Sequence, residues 1–238
     1  MSMFRSVSLS CAKCGSTIPF QAVHSVNGDR RPDLRAAIIN GTFQRQPCPG
    51  CAAPLRLEPE FVYLDLGRRD WVLVRPADRL TEWAELEKGA HDIFDMAYGP
   101  EAPRPARRIG ESLRVRVTFG WAAVQEKLLC SELGLDDLIL ELVKLAVLRT
   151  QRTLPLGDDT ECRLIGRTEE SLLFAWIHAA TEETAEMMEV SRGVYDGIAT
   201  DLRSWQALHA ELDGNPFVDI HRLLVDPTTP GCEMSLSG

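Results

Sequence analysis

Cys11-Ala12-Lys13-Cys14-Gly15 and Cys48-Pro49-Gly50-Cys51 are two Cys-x-x-Cys turns with 33 residues between Cys14 and Cys48. Such a turn puts two sulfurs on one side of a tight knuckle. Two knuckles facing each other make a tetrahedron of thiolates, which zinc accepts because it has no directional preference of its own. Four protein ligands leave no position for water or substrate, so the expected ion is structural, one Zn2+ per chain on Cys11, Cys14, Cys48 and Cys51. Its binding energy becomes folding energy for a module with little core of its own. The spacing exceeds the ~15–20 residues of a compact four-cysteine finger, and a short inserted helix is expected to fill the excess. A redox dithiol is the competing reading of Cys48-Pro-Gly-Cys51. That chemistry wants its first cysteine at a helix N-terminus, whereas the following AAPLRLEPEF, with Pro54 and Pro59, reads as extended. Ala52 follows Cys51 where Gly15 follows Cys14, so the second knuckle looks the less ideal of the two.

Working outward, residues 8–20 read as a strand and turn around the first pair. PDLRAAIIN at 32–40 reads as the inserted helix, with Pro32 at its first position and Gly41 just past its end. Residues 55–66 and 71–75 predict a β-hairpin turning at Gly67-Arg68-Arg69-Asp70. Trp83, Leu86, Ala90, Ile93, Phe94 and Ala97 recur at helical spacing over 81–98, with Thr81 as N-cap and Gly99 as stop. GPEAPRPARRIG at 99–110 holds three prolines and no apolar period, which predicts a linker. Strict alternation from Leu113 to Phe119 predicts a half-buried strand. Two helices follow, over 121–133 and from Asp136, as N-cap, to about Arg149; the second is apolar nearly all round and expected to be buried. Residues 162–167 and 171–178 predict a second hairpin, a helix is expected from Ser191 towards His209, and Phe217 to Val225 is a packed segment.

The predicted organisation is a module at 1–99, a linker at 100–110, an acidic body at 111–226 and a loose tail at 227–238. The fold class is α+β: a zinc-ribbon-like N-terminal β module with an inserted short helix, followed by an α/β C-terminal body.

No apolar run approaches the ~20 residues that span a bilayer, and the N-terminus lacks a signal-peptide apolar block. The expected location is the cytoplasm, with no membrane partner. There thiols stay reduced, and seven cysteines, an odd number, fit a disulfide framework poorly. The net charge of -9 is uneven: residues 1–79 carry 11 Lys and Arg against 7 Asp and Glu, while the remainder is strongly acidic. A mildly basic module is a weak footprint for a nucleic-acid binder, and the acidic body would repel a phosphate backbone.

Phosphate loops, nucleophile elbows, His-Glu-x-x-His and dinucleotide glycine motifs do not occur. His91-Asp92 is an adjacent dyad on a polar helix flank and reads as solvated. His24 lies between the pairs, where an alternative ligand or a hydrogen-bond donor would sit, but the four thiolates leave it no needed place in the site; His178, His209 and His221 have no partner that the sequence identifies. Asp136-Asp137 reads as helix capping, Glu182-Glu183 and Glu186 as a solvated face, and Asp158-Asp159 as loop. Cys130, Cys162 and Cys232 read as buried or incidental thiols.

Taken together, Cys11-Ala-Lys-Cys14-Gly15, Val26-Asn27, Pro32-Asp33-Leu34-Arg35, Asn40-Gly41, Cys48-Pro-Gly-Cys51 and Tyr63-Leu64-Asp65 resemble the bacterial CpXC proteins. The likeness extends more weakly through Leu133-Gly-Leu-Asp-Asp137 and Glu141-Leu-Val-Lys144. The resemblance implies a cysteine-bound metal on Cys11, Cys14, Cys48 and Cys51 and implies no particular activity. The leading functional expectation is a non-enzymatic protein–protein interaction or adaptor protein. One alternative is a zinc-ribbon nucleic-acid or transcription-associated factor, for which Arg30, Arg31, Arg35, Arg45, Arg68 and Arg69 would form one face. The other is an enzyme whose dispersed site the sequence does not display.

Overall fold

Strand β1 (Met3–Ser10) pairs antiparallel with β2 (Thr17–Asn27) in the computed structural model, which describes residues 2–150 and 160–227, and the first cysteine pair forms their turn. Helix α1 (Pro32–Ile39) follows, with proline in its first turn. The short strands β3 (Arg45–Pro47) and β4 (Pro54–Arg56) make a second antiparallel hairpin, turning on the second cysteine pair. The extended stretch after Cys51 therefore splits: β4 belongs to the cysteine hairpin, and the chain re-enters the main sheet after Pro59 as β5 (Phe61–Asp65).

β5 turns at residues 66–69 into β6 (Asp70–Arg75), the expected hairpin. A 3-10 turn at Ala77–Glu82 then leads into α2 (Trp83–Tyr98), so Thr81 is not its N-cap. The stretch expected to be an irregular linker contains a helix, α3 (Arg104–Gly110), whose first turn accepts Pro105 because that turn needs no intrahelical donor there. β7 (Arg114–Phe119) pairs in parallel with β6 along its whole length. The five-stranded sheet, in order β1-β2-β5-β6-β7, thus continues across the segment where the domain boundary is predicted.

Both faces of this sheet are covered, which is why β6 reads as an unbroken apolar run. Phe61, Tyr63, Val72 and Val74 face Ile38 of α1 and Trp121, Val124 and Leu128 of α4 (Gly120–Glu132). Trp71 and Leu73, one residue out of phase, face Ala90, Ile93 and Phe94 of α2 together with Phe217. α4 lies between this sheet and a second one, and it is buried on nearly every side.

The second sheet contains β8 (Thr160–Arg167), β9 (Ser171–His178) and β10 (Thr184–Ser191), in order β10-β9-β8 and antiparallel throughout. The hairpin β8–β9 is as expected; β10 is additional, because its outward-facing polar residues hide the strand period. α5 (Asp137–Thr150) packs on this sheet through Leu140, Leu142 and Val143 against Leu164, Phe174 and Trp176. Asp136 caps α5 as expected, its Oδ1 accepting the Leu138 amide at 2.8 Å. Ser191 caps α6 (Arg192–Thr200), but that helix breaks after Thr200 and resumes as α7 (Gln206–Leu212), followed by α8 (His221–Leu224). Asp158-Asp159, Cys232 and most of the expected tail lie outside the described residues.

Candidate metal centre

The two knuckles share one hydrogen-bond pattern. The Cys11 amide donates to Ser16 O (3.0 Å) and the Gly15 amide to Cys11 O (2.8 Å); the Cys48 amide donates to Ala53 O (2.8 Å) and the Ala52 amide to Cys48 O (2.8 Å). Gly15 and Ala52 hold the same left-handed position, with φ of +72° and +56°. The knuckles also sit close enough to exclude a side chain between them. A Cβ on Gly50 would lie 2.7 Å from Ser16 Oγ and 3.4 Å from Cys14 Sγ.

This packing brings the sulfurs of Cys11, Cys14, Cys48 and Cys51 within 4.8 Å of one another. Cys11 Sγ is 3.6 Å from Cys51 Sγ, and Cys14 Sγ is 3.6 Å from Cys48 Sγ. A disulfide requires about 2.05 Å. Four sulfurs at about 2.3 Å from one ion stand about 3.8 Å apart. The separations therefore match shared coordination and not covalent bonding, and the four cysteines are free.

The electrostatics agree. Hydrogen bonds from the Ser16 hydroxyl and amide lower the Cys14 thiol to about 6. Backbone amides at Cys14 and Lys13 lower Cys11. The Ala53 amide favours the Cys51 thiolate, but burial and the other three sulfurs push Cys51 up to about 12. Four such groups cannot all ionise side by side without a cation among them. A soft dication removes that conflict, so the donor set fits a thiophilic metal. His24 is not gathered with the thiols; it is exposed and lines a groove of about 550 Å³ that includes Arg5, Glu58, Phe61, Arg75 and Trp121.

A second group of three close carboxylates lies in the interior: Glu126 of α4, Glu141 of α5 and Asp219. Here the protein supplies the cations. Lys144 Nζ donates to Glu126 Oε2 at 2.7 Å and to Glu141 Oε1 at 3.0 Å, with all three side chains fully buried. Arg163 of β8 donates to Glu126 at 3.0 Å, to Glu161 at 2.7 Å and to Asp219. The Leu164 and Ile220 amides fill remaining lone pairs on Glu126 (2.6 Å) and Glu141 (3.0 Å). Asp137, expected as part of a helix cap, is instead buried against Arg116 (2.7 Å) and Lys127 (3.1 Å). Burial alone would raise these carboxyls, yet Lys144 and Arg163 lower Glu126, and Arg163 and His221 hold Asp219 far below its ordinary range. The group is a neutralised network, with Lys144 where an ion would sit. The sequence signal for it was present: Asp137, Glu141 and Lys144 recur at i, i+4 and i+7 in an otherwise apolar helix, so they share one face.

Glu182, expected on a solvated face, binds Arg45 at 2.7 Å and also Arg56, tying the second sheet's loop to the cysteine hairpin. Cys130 and Cys162 are buried thiols, raised by desolvation, and His91 is exposed. Of the six arginines expected to share a face, four are engaged: Arg31 with Asp33, Arg35 with Asp65, Arg45 with Glu182 and Arg68 with Glu132. No helix among the described residues is long and apolar enough to cross a membrane.

A family model described as CpXC protein matches residues 9–144, more than half of the 238-residue chain. The chain belongs to the CpXC family. The CpXC match contains all four close cysteines, most of the five-stranded sheet and α4, and it ends at Lys144 within α5. Comparison with curated proteins and with solved structures finds no match.

Proposed function

We propose that this protein is a cytoplasmic, non-enzymatic adaptor whose cysteine hairpins are clamped by one structural zinc ion on Cys11, Cys14, Cys48 and Cys51. The observation that carries the reading is the closure of the four sulfurs at 3.6 Å contacts between hairpin tips. Such a set consumes every coordination position of a tetrahedral ion, so the metal shapes a surface and does not meet a substrate. Once bound it supplies a crosslink between the β1–β2 and β3–β4 hairpins. The chain's own groups do the rest: Ser16 favours the Cys14 thiolate, and the knuckle amides fix the sulfurs' directions. The acidic body, joined to the module through the shared sheet and the Glu182 contacts, is the second part of the adaptor.

Elemental analysis of the full chain tests the clamp. One zinc per chain is expected. Its removal by a chelator is expected to abolish hydrogen-exchange protection in 3–27 and 45–56 while α4 and α5 stay protected. A metal-free chain with fully protected hairpins overturns the reading. Turnover of any substrate by the purified protein, abolished by substitution of residues lining one cavity, overturns the adaptor role.

A further inference from the structure

Most arginines among the described residues are spent on ion pairs; of the eight that make none, Arg5, Arg149 and Arg167 lie elsewhere on the surface and the other five lie together. Arg30, Arg69, Arg104, Arg107 and Arg108 make no ion pair among the described residues, and all five are exposed. Three segments at one end of the five-stranded sheet carry them. Asp29 stitches the first segment to the β5–β6 turn, its carboxylate accepting the Leu66 amide (2.5 Å) and the Gly67 amide (2.9 Å). Arg69 of that turn accepts the Arg114 amide through its carbonyl (2.7 Å), which draws in the chain that leaves α3. α3 then sets Arg104, Arg108 and Ile109 around a shallow depression shared with Leu66.

Leu66 and Ile109 are 43% and 37% exposed, at the centre of this basic end. An apolar centre within a charged rim is the anatomy of a protein-binding patch. Its sign runs against the chain's net charge of -9, and Glu101 and Glu111 are the exposed acids beside α3. Arginine forks suit carboxylates in pairs. A phosphate polyanion meets the same forks but carries no aliphatic side chains to cover Leu66 and Ile109.

We infer that the surface formed by α3 and the β5–β6 turn docks an acidic protein segment bearing aliphatic side chains. The carboxylates meet Arg69, Arg104 and Arg108, and the aliphatic groups cover Leu66 and Ile109. This inference rests on the adaptor reading and names the surface and the chemistry of its partner. It does not use the cysteine cluster, so the two can fail separately.

The test is fluorescence anisotropy with the full chain and a labelled twelve-residue probe peptide of glutamates with two leucines. Binding is expected, weakened about tenfold or more by R104E/R108E and steeply by added salt. The L66S/I109S variant is expected to lose the preference for the leucine-bearing probe over an all-glutamate one. Zinc content and far-ultraviolet circular dichroism, measured on every variant, separate loss of the surface from loss of the fold. No binding of the peptide at millimolar concentration overturns the inference, as does equal binding by R104E/R108E. Tighter, arginine-dependent binding of a single-stranded DNA probe overturns it in favour of nucleic acid. A zinc-free chain that still binds the peptide through Arg104 and Arg108 removes the metal clamp and leaves this surface standing.

Discussion

The hairpin tips and the protein interior each gather close acidic ligand atoms, and they differ in whether the chain itself supplies positive charge among them. At the tips, four sulfurs face one another with no cationic side chain among them in the described residues. In the interior, Glu126, Glu141 and Asp219 are as tightly grouped, but Lys144 and Arg163 stand between them. Proximity of ligand atoms alone therefore does not mark a metal site. What marks one is a set of acceptors whose charge the surrounding protein leaves uncompensated.

Lys144→Met is expected to cost the most stability. It leaves Glu126 and Glu141 buried beside each other without their shared cation. Breaking one partner out of a buried ion network costs about 3–5 kcal/mol, and chemical denaturation should show that loss across the whole cooperative transition. A loss below about 1 kcal/mol would mean the network is hydrated and not buried. The same substitution should leave the metal content of the folded fraction unchanged.

Cys48→Ser works in the opposite direction. It is expected to abolish metal binding and protection of the two hairpins, while the network around Lys144 stays closed to exchange. Concerted loss of protection in α4 and α5 would show that the two regions are one energetic unit.

Acid separates them a third way. Burial opposes ionisation of Asp137 and Asp219, but Lys127 and Arg116 on the first, and Arg163 and His221 on the second, pull both below the ordinary carboxyl range. A carboxylate depressed by folding stabilises the native state above its unfolded value of about 4 and loses that contribution as pH falls through the folded value. Glu141, raised by burial, acts in the opposite sense and relieves part of the loss as it takes up its proton. Urea midpoints should therefore fall continuously below about pH 4. Metal release, driven by protons competing for thiolates, should be complete at a higher pH than that decline. Midpoints that are flat from pH 5 to pH 2 would contradict the ion-pair account.

The smallest expected effect is a gain. Ala52 sits at φ +56° where Gly15 sits at +72° in the other knuckle. A non-glycine residue in that region is strained, so Ala52→Gly should stabilise the hairpins by about 0.5–1 kcal/mol. A rise in thermal midpoint of the metal-loaded chain checks it; a fall would mean the Ala52 side chain packs favourably.

Much of the fold was legible because its signals are local. The Cys-x-x-Cys turns, Pro32 at the start of α1, the alternation in β7 and the Asp136 cap each depend on a few adjacent residues. The reading of 99–110 as a linker failed on the same ground. Its prolines fit a first helical turn as well as they fit a loop, and only the pairing of β7 with β6 shows the sheet continuing past it. β10 was missed because Glu186, Met187 and Glu189 face solvent at a sheet edge, where no buried face imposes a period.

The four cysteines, their pairing into two knuckles and the α+β class were readable from the linear order of residues, because knuckle geometry and strand and helix periods are written within a turn or two of the chain. Which charges are neutralised depends on packing between distant segments. Asp137, Glu141 and Glu182 look alike in sequence, yet packing buries the first two against Lys127 and Lys144 and sets the half-buried Glu182 against Arg56, while Arg104 and Arg108 are left at the surface without a counter-ion among the described residues. Whether a charge is neutralised depends on neighbours tens of residues away, and Coulomb energy responds to distance in space and to burial, neither of which a linear order of residues contains.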